Sequence, residues 1–213
     1  MNENINWINE RRIDRTIKNL EKNNMKGYFA HNNDELFDII KNIAKEGEIV
    51  SVGGSMTLFE TEVIELLRSG RYDFLDRYKD NLTPDDLKEI YRKSFSADTY
   101  FSSANAITEE GEIYNVDGRG NRVAAILYGP DKVILIVGVN KIVKNIDEAI
   151  ERNKTISGPA NGKRLNTNTP CAKVGYCTNC NSDDRICCEY TVIKRQRVVN
   201  RIHIIFINDS LGF

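Results

Sequence analysis

The sequence has no excess of charge, no long hydrophobic run and only two histidines. Its 30 basic and 31 acidic residues leave a formal net charge of -1, which gives no reason to expect a nucleic-acid or membrane partner. The longest apolar run, residues 133–137, is too short to cross a bilayer. The N-terminus is polar and does not resemble a signal peptide. We therefore expect a cytoplasmic protein.

The 213 residues are most simply explained by one domain, residues 1–213. Helical and strand patterns alternate in the first half, which predicts βαβ units and a parallel sheet covered on both faces. Short strand-like runs between residues 99 and 137, including residues 123–127, predict an antiparallel extension of that sheet. We expect an α/β fold of Rossmann-like type, followed by a loop-rich segment at residues 155–190.

Three helix boundaries can be predicted in the first half. Asp34 is the expected N-cap of one helix, and residues 57–69 are expected to form a single helix. Thr83 and Pro84 are a typical helix start, with a hydroxyl cap and a proline at the first helical position.

A turn of Gly53, Gly54 and Ser55 lies between a predicted strand and a predicted helix. Free backbone N–H groups and the helix dipole suit an anion at such a turn, and Thr57 would add a hydroxyl. Neither the dinucleotide nor the P-loop pattern is present. The alternative is a tight turn with Ser55 as an ordinary N-cap.

Two polar stretches, residues 104–112 and 115–122, follow in the region of short strands. Loops at strand ends of α/β proteins often bind ligands. The candidate ligand-binding residues here are Asn105, Asp117, Asn121 and Arg122. Glu110 is the candidate general base or nucleophile, although Glu110-Gly111 and Asp117-Gly118 are also typical of hairpin turns.

All five cysteines lie within residues 171–188, and a cytoplasmic protein should keep them reduced. Clustered thiols with a C-x2-C core indicate a metal, either zinc or a [4Fe–4S] cluster. The proposed ligands are Cys171, Cys177, Cys180 and Cys187. Thiol redox chemistry and ordinary half-buried thiols are the alternatives.

Taken together, several segments resemble the LUD (lactate-utilisation) domain family. They are residues 51–58 (SVGGSMTL), 104–107 (ANAI), 115–124 (NVDGRGNRVA), 158–164 (GPANGKR), 170–172 (PCA) and 185–187 (RIC). The resemblance covers almost the whole chain. The chain is similar to the small, stand-alone form of the family, which has no ferredoxin-type repeats.

The resemblance implies a fold similar to the sugar-isomerase and CoA-transferase group, in which the glycine turn holds an anionic or phosphorylated ligand. It also implies a role in lactate or small-carboxylate metabolism, beside iron–sulfur partner proteins. The alternative is a non-catalytic redox or assembly subunit whose cysteine segment holds a metal. Whether the chain is an enzyme, and whether it forms a homo-oligomer, stays open at this stage.

Overall fold

The computed structural model describes residues 3–213, which form two β-sheets surrounded by helices. The larger sheet has six strands, all parallel, with the order β1-β10-β7-β4-β2-β3. Its strands are β1 (Lys26–Ala30), β2 (Ile49–Val52), β3 (Asp73–Leu75), β4 (Thr99–Ser102), β7 (Lys132–Gly138) and β10 (Ile202–Ile207). The predicted α/β fold with a parallel sheet is confirmed.

The second sheet has four strands in the order β8-β5-β6-β9. They are β5 (Ala106–Thr108), β6 (Ile113–Asp117), β8 (Ile142–Val143) and β9 (Glu189–Ile193). β6 is antiparallel to both β5 and β9, whereas β5 and β8 are parallel. The expected antiparallel extension therefore exists, but as a separate sheet rather than as added strands of the first one.

Nine α-helices lie within the described residues. They are α1 (Glu3–Lys22), α2 (Asn33–Ile43), α3 (Met56–Glu60), α4 (Val63–Arg68), α5 (Pro84–Lys93), α6 (Asn121–Leu127), α7 (Ile146–Arg152), α8 (Gly158–Arg164) and α9 (Pro170–Val174). Thr83 caps α5 in a complete capping box with Asp86, as the Thr-Pro start predicts.

The central strands are apolar on both faces, because helices cover the sheet on both sides. In β7, Val133, Leu135 and Val137 pack into the core beneath α1. Ile134 and Ile136 alternate with them and pack into the core beneath α2, α3 and α4. A third, smaller core lies between the second sheet and α7.

Residues 123–127 are helical, so the predicted strand there is wrong. An apolar run this short has the length of a strand, and its periodicity cannot separate the two structures. Asp117 determines the outcome, because its Oδ2 accepts hydrogen bonds from the N–H groups of Arg122 and Val123 at the start of α6. Gly120 precedes the helix with a φ of 71°.

Two helix predictions in the first half also need correction. The expected single helix at residues 57–69 is divided into α3 and α4 by Glu62, whose φ of 57° is left-handed. The N-cap of α2 is Asn32 rather than Asp34, since the Asn32 side chain accepts from the N–H of Glu35. Asp34 instead lies in the first turn of that helix, where its charge suits the dipole.

The segment expected to be a loop at residues 155–190 is partly helical. A π-helical turn, Asn153–Ser157, joins α7 to α8 without a break. Pro159 has no N–H to give to the helical ladder, and the wider π turn ends just before it. Most of residues 175–188 form turns and irregular backbone, as predicted.

None of the helices within residues 3–213 combines the length and the apolar composition that a membrane crossing requires. Three apolar residues near the start of α1 are nevertheless exposed, namely Ile5, Ile8 and Trp7, the last at 62% of its full accessibility.

Candidate functional site

A cavity of about 390 Å³ opens where several strands end. Its lining comes from the turn after β2, the segment that joins β4 to β5, the end of β6 with the start of α6, and the segment after β7. Ligand sites of α/β proteins typically lie at the carboxyl ends of parallel strands. The π turn and α8 close another side of the cavity.

The glycine turn reaches this cavity, but its three residues have different roles. Gly54 and Ser55 line it, whereas Gly53 does not. The N–H of Gly53 is bonded to the Phe101 carbonyl at 2.8 Å, so it is not a free donor. Ser55 is the N-cap of α3 and accepts from the N–H of Leu58 at 3.4 Å. The turn therefore contributes two residues to the cavity lining. The Ser55 side chain caps α3, as the alternative interpretation of the sequence predicted.

Gly53 allows close packing against the side chains behind the glycine turn. A Cβ at this position would lie 2.8 Å from Arg122 Cγ and 2.8 Å from Ser102 Oγ. Any side chain would therefore push β2 away from Arg122.

Arg122 organises the cavity wall from within. Its guanidinium donates five hydrogen bonds, which is the full donor capacity of this group. The acceptors are Asp117 Oδ1, Asn115 Oδ1, Asn105 Oδ1 and the carbonyl groups of Ser103 and Val116. Arg122 is thus committed to protein partners and does not offer the free anion-binding fork that the sequence suggested.

The other predicted ligand-binding residues are divided by the structure. Asn105, Asp117 and Asn121 line the cavity, as does Arg122 itself. Thr57 is fully buried behind the wall and contacts Lys141 instead of the cavity. Glu110 is exposed in the turn between β5 and β6, where its carbonyl accepts from Asn23 of the segment after α1. The structure does not bring Glu110 to the cavity.

The cavity is strongly basic. Its lining contains five basic side chains and, among the described residues, one acidic side chain, Asp117. Asp117 is already paired with Arg122, at 3.1 Å between Oδ1 and Nε. The remaining basic lining residues are Arg77, Arg119, Lys141 and Arg164. The uncompensated charge of this cavity is therefore positive.

Arg77 is positioned by two tyrosines. Its guanidinium lies 4.7 Å from the ring centre of Tyr91 and 5.4 Å from that of Tyr78, and its Nη2 donates to the Tyr91 hydroxyl. The Tyr78 hydroxyl in turn contacts the carbonyl of Gly53 at 3.4 Å. Arg77 thus stands beside the glycine turn on a rigid aromatic support.

Lys141 is a site residue that the sequence reasoning missed. It is only 3% exposed and lines the cavity, where its Nζ donates to Thr57 Oγ1 and Ser103 Oγ. Burial, followed by the charges of Arg152 and Arg122, lowers the pKa of Lys141 to about 7, while the charge of Glu60 acts in the opposite direction. Its sequence signal was an ionisable residue three positions after the end of β7, a strand that is apolar from Val133 to Val137.

Arg152 supports the same region from the end of α7. Its Nη1 donates to the Asn105 carbonyl at 2.7 Å and to Ser157 Oγ at 2.8 Å. Burial lowers the pKa of Arg152 to about 10. The π turn that follows places Asn153 and Ser157 in the cavity lining, an arrangement often seen at functional sites.

The cysteine segment contacts the cavity through Cys187, which lines it. Burial raises the pKa of the Cys187 thiol, and the nearby thiols of Cys171 and Cys177 raise it further. All five cysteines are free thiols. Within residues 3–213, no group of three or more cysteine, histidine or acidic side chains is arranged to hold a metal. As placed, the four predicted ligands do not form a zinc or iron–sulfur site.

Comparison with solved structures identifies the same fold elsewhere. A DUF162 family protein from Deinococcus radiodurans matches 95% of this chain and 97% of its own, with a TM-score of 0.51 and 14% identity. Two further structures each match 53% of this chain at 15% identity. eIF2B beta from Chaetomium thermophilum is matched over 43% of its own chain, with a TM-score of 0.35. Ribose 5-phosphate isomerase from Plasmodium falciparum is matched over 52% of its own chain, with a TM-score of 0.32. No curated protein matches this chain.

The fold and its basic cavity define an α/β protein with a single parallel sheet and a polar cleft at the strand ends. The LUD domain matches this sequence over residues 13–207, almost the whole chain. The chain therefore belongs to the LUD domain family, which is associated with lactate utilisation.

Proposed function

We propose that this chain binds a small carboxylate or a phosphorylated metabolite in the basic cavity, as a subunit or enzyme of lactate or small-carboxylate metabolism. The observation that carries the proposal is the imbalance of charge in the lining. Arg77, Arg119, Lys141 and Arg164 face a cavity whose one acidic side chain is already paired with Arg122. Cationic groups in a cleft attract anions, and low-dielectric walls strengthen that attraction.

The size and polarity of the cavity also favour a small metabolite. A volume of about 390 Å³ is at the lower end of the range of ligand pockets. Asn121, Asn153 and Ser157 add hydrogen-bonding side chains to the charged ones. Such groups fix the orientation of a polar ligand rather than of an apolar one.

The test is calorimetric titration of the full chain with lactate, pyruvate and inorganic phosphate at low salt. Lactamide, which has the shape of lactate without its charge, is the matched neutral ligand. We expect at least one of the three anions to bind and lactamide not to bind. Arg77→Gln removes one charge-assisted contact and should weaken anion binding by about tenfold or more.

The control is Arg92→Gln, which makes the same change of charge on an exposed residue of α5 outside the cavity lining. Its affinity should stay within twofold of the wild type. Binding of none of the three anions, or equal binding of lactate and lactamide, would contradict the proposal.

A second candidate function is a non-catalytic redox or assembly subunit, in which Cys171, Cys177, Cys180 and Cys187 hold zinc or a [4Fe–4S] cluster or dock an iron–sulfur partner protein. The observation in its favour is that Cys171 and Cys177 lie near enough to Cys187 to raise the pKa of its thiol. The four thiols would have to move together, since their present arrangement holds no metal-binding group within the described residues.

Metal analysis of anaerobically purified protein tests this second function. About one zinc, or about four irons with matching sulfide, per chain would support it, and Cys177→Ser should then lower the content. Cys188→Ser, which changes the exposed cysteine outside the proposed set, is the control. Protein free of both metals would argue against it.

A further inference from the structure

Lys141 is a buried amine in the cavity wall that forms no salt bridge within the described residues, although Glu60 is near enough to raise its pKa. It ends the short 3-10 turn Val139–Lys141 that follows β7, the strand between β4 and β10. No carboxylate oxygen of residues 3–213 lies within 4.0 Å of its Nζ. Buried lysines are usually paired with an acid, so an unpaired one that lines a cleft needs a functional explanation.

Two hydroxyl groups hold the Lys141 amine. Its Nζ lies 2.8 Å from Thr57 Oγ1 and 3.1 Å from Ser103 Oγ. A neutral amine has two N–H groups and one lone pair. If the two hydroxyls accept both N–H groups, the lone pair is left as the remaining reactive position.

Gly212 preserves space beside this amine. A Cβ at position 212 would lie 3.1 Å from Lys141 Nζ and 2.7 Å from Thr57 Oγ1. The backbone there has a φ of 54°, which glycine adopts without strain. A side chain at this position would therefore crowd both the amine and the hydroxyl that orients it.

The protonation of the amine agrees with this geometry. Burial lowers the pKa of Lys141 to about 7, which at neutral pH favours the neutral amine far more than in an exposed lysine. An ordinary exposed lysine, with a pKa near 10.4, is neutral in fewer than about one molecule in a thousand at the same pH. A desolvated lysine beside other cations is the type that forms Schiff bases.

We propose that Lys141 forms a Schiff base with a small anion that carries an aldehyde or ketone carbonyl. This inference rests on the proposed function, since the same basic cavity must first bind the anion. The lone pair of Nζ attacks the carbonyl carbon, the C–N bond forms, and the electrons of the C=O π bond move to oxygen, which takes up a proton. Loss of a proton from nitrogen and of water from carbon then gives the imine, without any oxidant or reductant.

Thr57 and Ser103 have positioning roles in this reaction. Their hydroxyl groups can both donate and accept protons, and each lies within hydrogen-bond distance of the attacking nitrogen. Arg77, Arg119 and Arg164 supply the charge that holds the carboxylate or phosphate of the ligand.

The test is reductive trapping of the full wild-type chain with glyoxylate and cyanoborohydride at pH 7, followed by peptide mapping in a mass spectrometer. We expect a carboxymethyl adduct on Lys141 that forms at least ten times faster than the adduct on Lys88, an exposed lysine of α5. Glycolate, which has the same charge but no carbonyl, should slow the labelling of Lys141 and leave that of Lys88 unchanged. Because the readout is a site in the wild-type protein, it does not depend on the folding of a variant.

The outcomes separate this inference from the proposed function. If glycolate binds in calorimetry but Lys141 is labelled no faster than Lys88, the Schiff-base inference is wrong and anion binding stands. If neither binding nor selective labelling occurs, both fail. If glycolaldehyde, a neutral aldehyde, labels Lys141 as fast as glyoxylate does, the amine is a nucleophile but the anion site is wrong.

Discussion

Asn105 Oδ1 accepts a hydrogen bond from Arg122 Nη2 at 3.0 Å, while the carbonyl of the same asparagine accepts from Arg152 Nη1 at 2.7 Å. Asn105 lies in the short connection between β4 and β5, where the chain passes from one sheet to the other. Two buried guanidinium groups thus fix this crossing from its two sides. Both oxygen atoms of Asn105 are therefore paired with guanidinium groups, which hold this part of the cavity wall in place.

Arg122→Lys should destabilise the protein although it keeps the positive charge. A lysine ammonium has three donors, so at least two of the five acceptors that Arg122 now serves would lose their partner. We expect the free energy of unfolding to fall by about 2–3 kcal/mol in urea denaturation. Arg119→Lys, on an exposed lining residue, should change it by less than about 0.5 kcal/mol. Equal effects of the two variants would show that the Arg122 network does not stabilise the fold.

Gly53→Ala should be destabilising and Gly54→Ala close to neutral. The new methyl group at position 53 meets Arg122 Cγ at 2.8 Å, whereas at position 54 the nearest neighbour is Arg77 Nη1 at 3.8 Å. We expect losses of about 1–3 kcal/mol and less than about 0.5 kcal/mol, respectively, in the free energy of unfolding. A larger loss for Gly54→Ala than for Gly53→Ala would show that the tightly packed position is not Gly53.

Lys141 should make stability depend on pH above neutrality. Its pKa is about 7 in the folded chain and 10.5 for an ordinary lysine, so the folded state binds fewer protons than the unfolded state between these values. Raising the pH from 7 to 10 should therefore stabilise the wild type relative to Lys141→Met, by at most about 1.4 kcal/mol per pH unit. Urea denaturation of both proteins at pH 7, 8 and 9 measures this difference. A constant difference would mean that Lys141 keeps an ordinary pKa.

His203 should make the stability of the fold depend on pH on the acidic side of neutrality. Burial, with the nearby charges of Lys132 and Lys26, lowers the pKa of His203 to about 4, and its Nδ1 contacts the Tyr28 hydroxyl at 3.1 Å. The folded state therefore resists protonation, and stability should be lost as the pH falls from 6.5 toward 4. Thermal melting of His203→Gln should show a shallower loss over this range, whereas His31→Gln, on an exposed residue, should keep the wild-type profile.

The sheet was predictable from the sequence because its longer strands, β7 and β10, carry apolar runs. The run in β7 and the glycine turn after β2 carry their signals locally. The identity of residues 123–127 was not predictable in this way. Their helix begins after Asp117, the last residue of β6, whose carboxylate accepts the N–H groups of Arg122 and Val123, and the apolar run itself does not indicate that contact.

The candidate site was predictable as a set of segments but not as a set of roles. Asn105, Asp117, Asn121 and Arg122 do line one cavity. The five acceptors of Arg122 come from several segments of the chain, so no local sequence pattern predicts that its guanidinium is fully paired. Lys141 could not be predicted as a site residue because an isolated lysine near a strand end is ordinarily exposed to solvent. Its burial is visible only in the structure.

The segment at residues 103–105 carries the chain from the six-stranded sheet to the four-stranded one, and the two sheets share no strand. A molecule in the cavity would contact the turn after β2 and the end of β6, since both line it. Such a molecule would add contacts between two sheets that already share part of one core, so its binding should stabilise both sheets together. Ligand binding in the cavity should therefore slow amide hydrogen exchange in β2 and β6 together. The rate of local opening in these two strands would then be a measure of ligand binding.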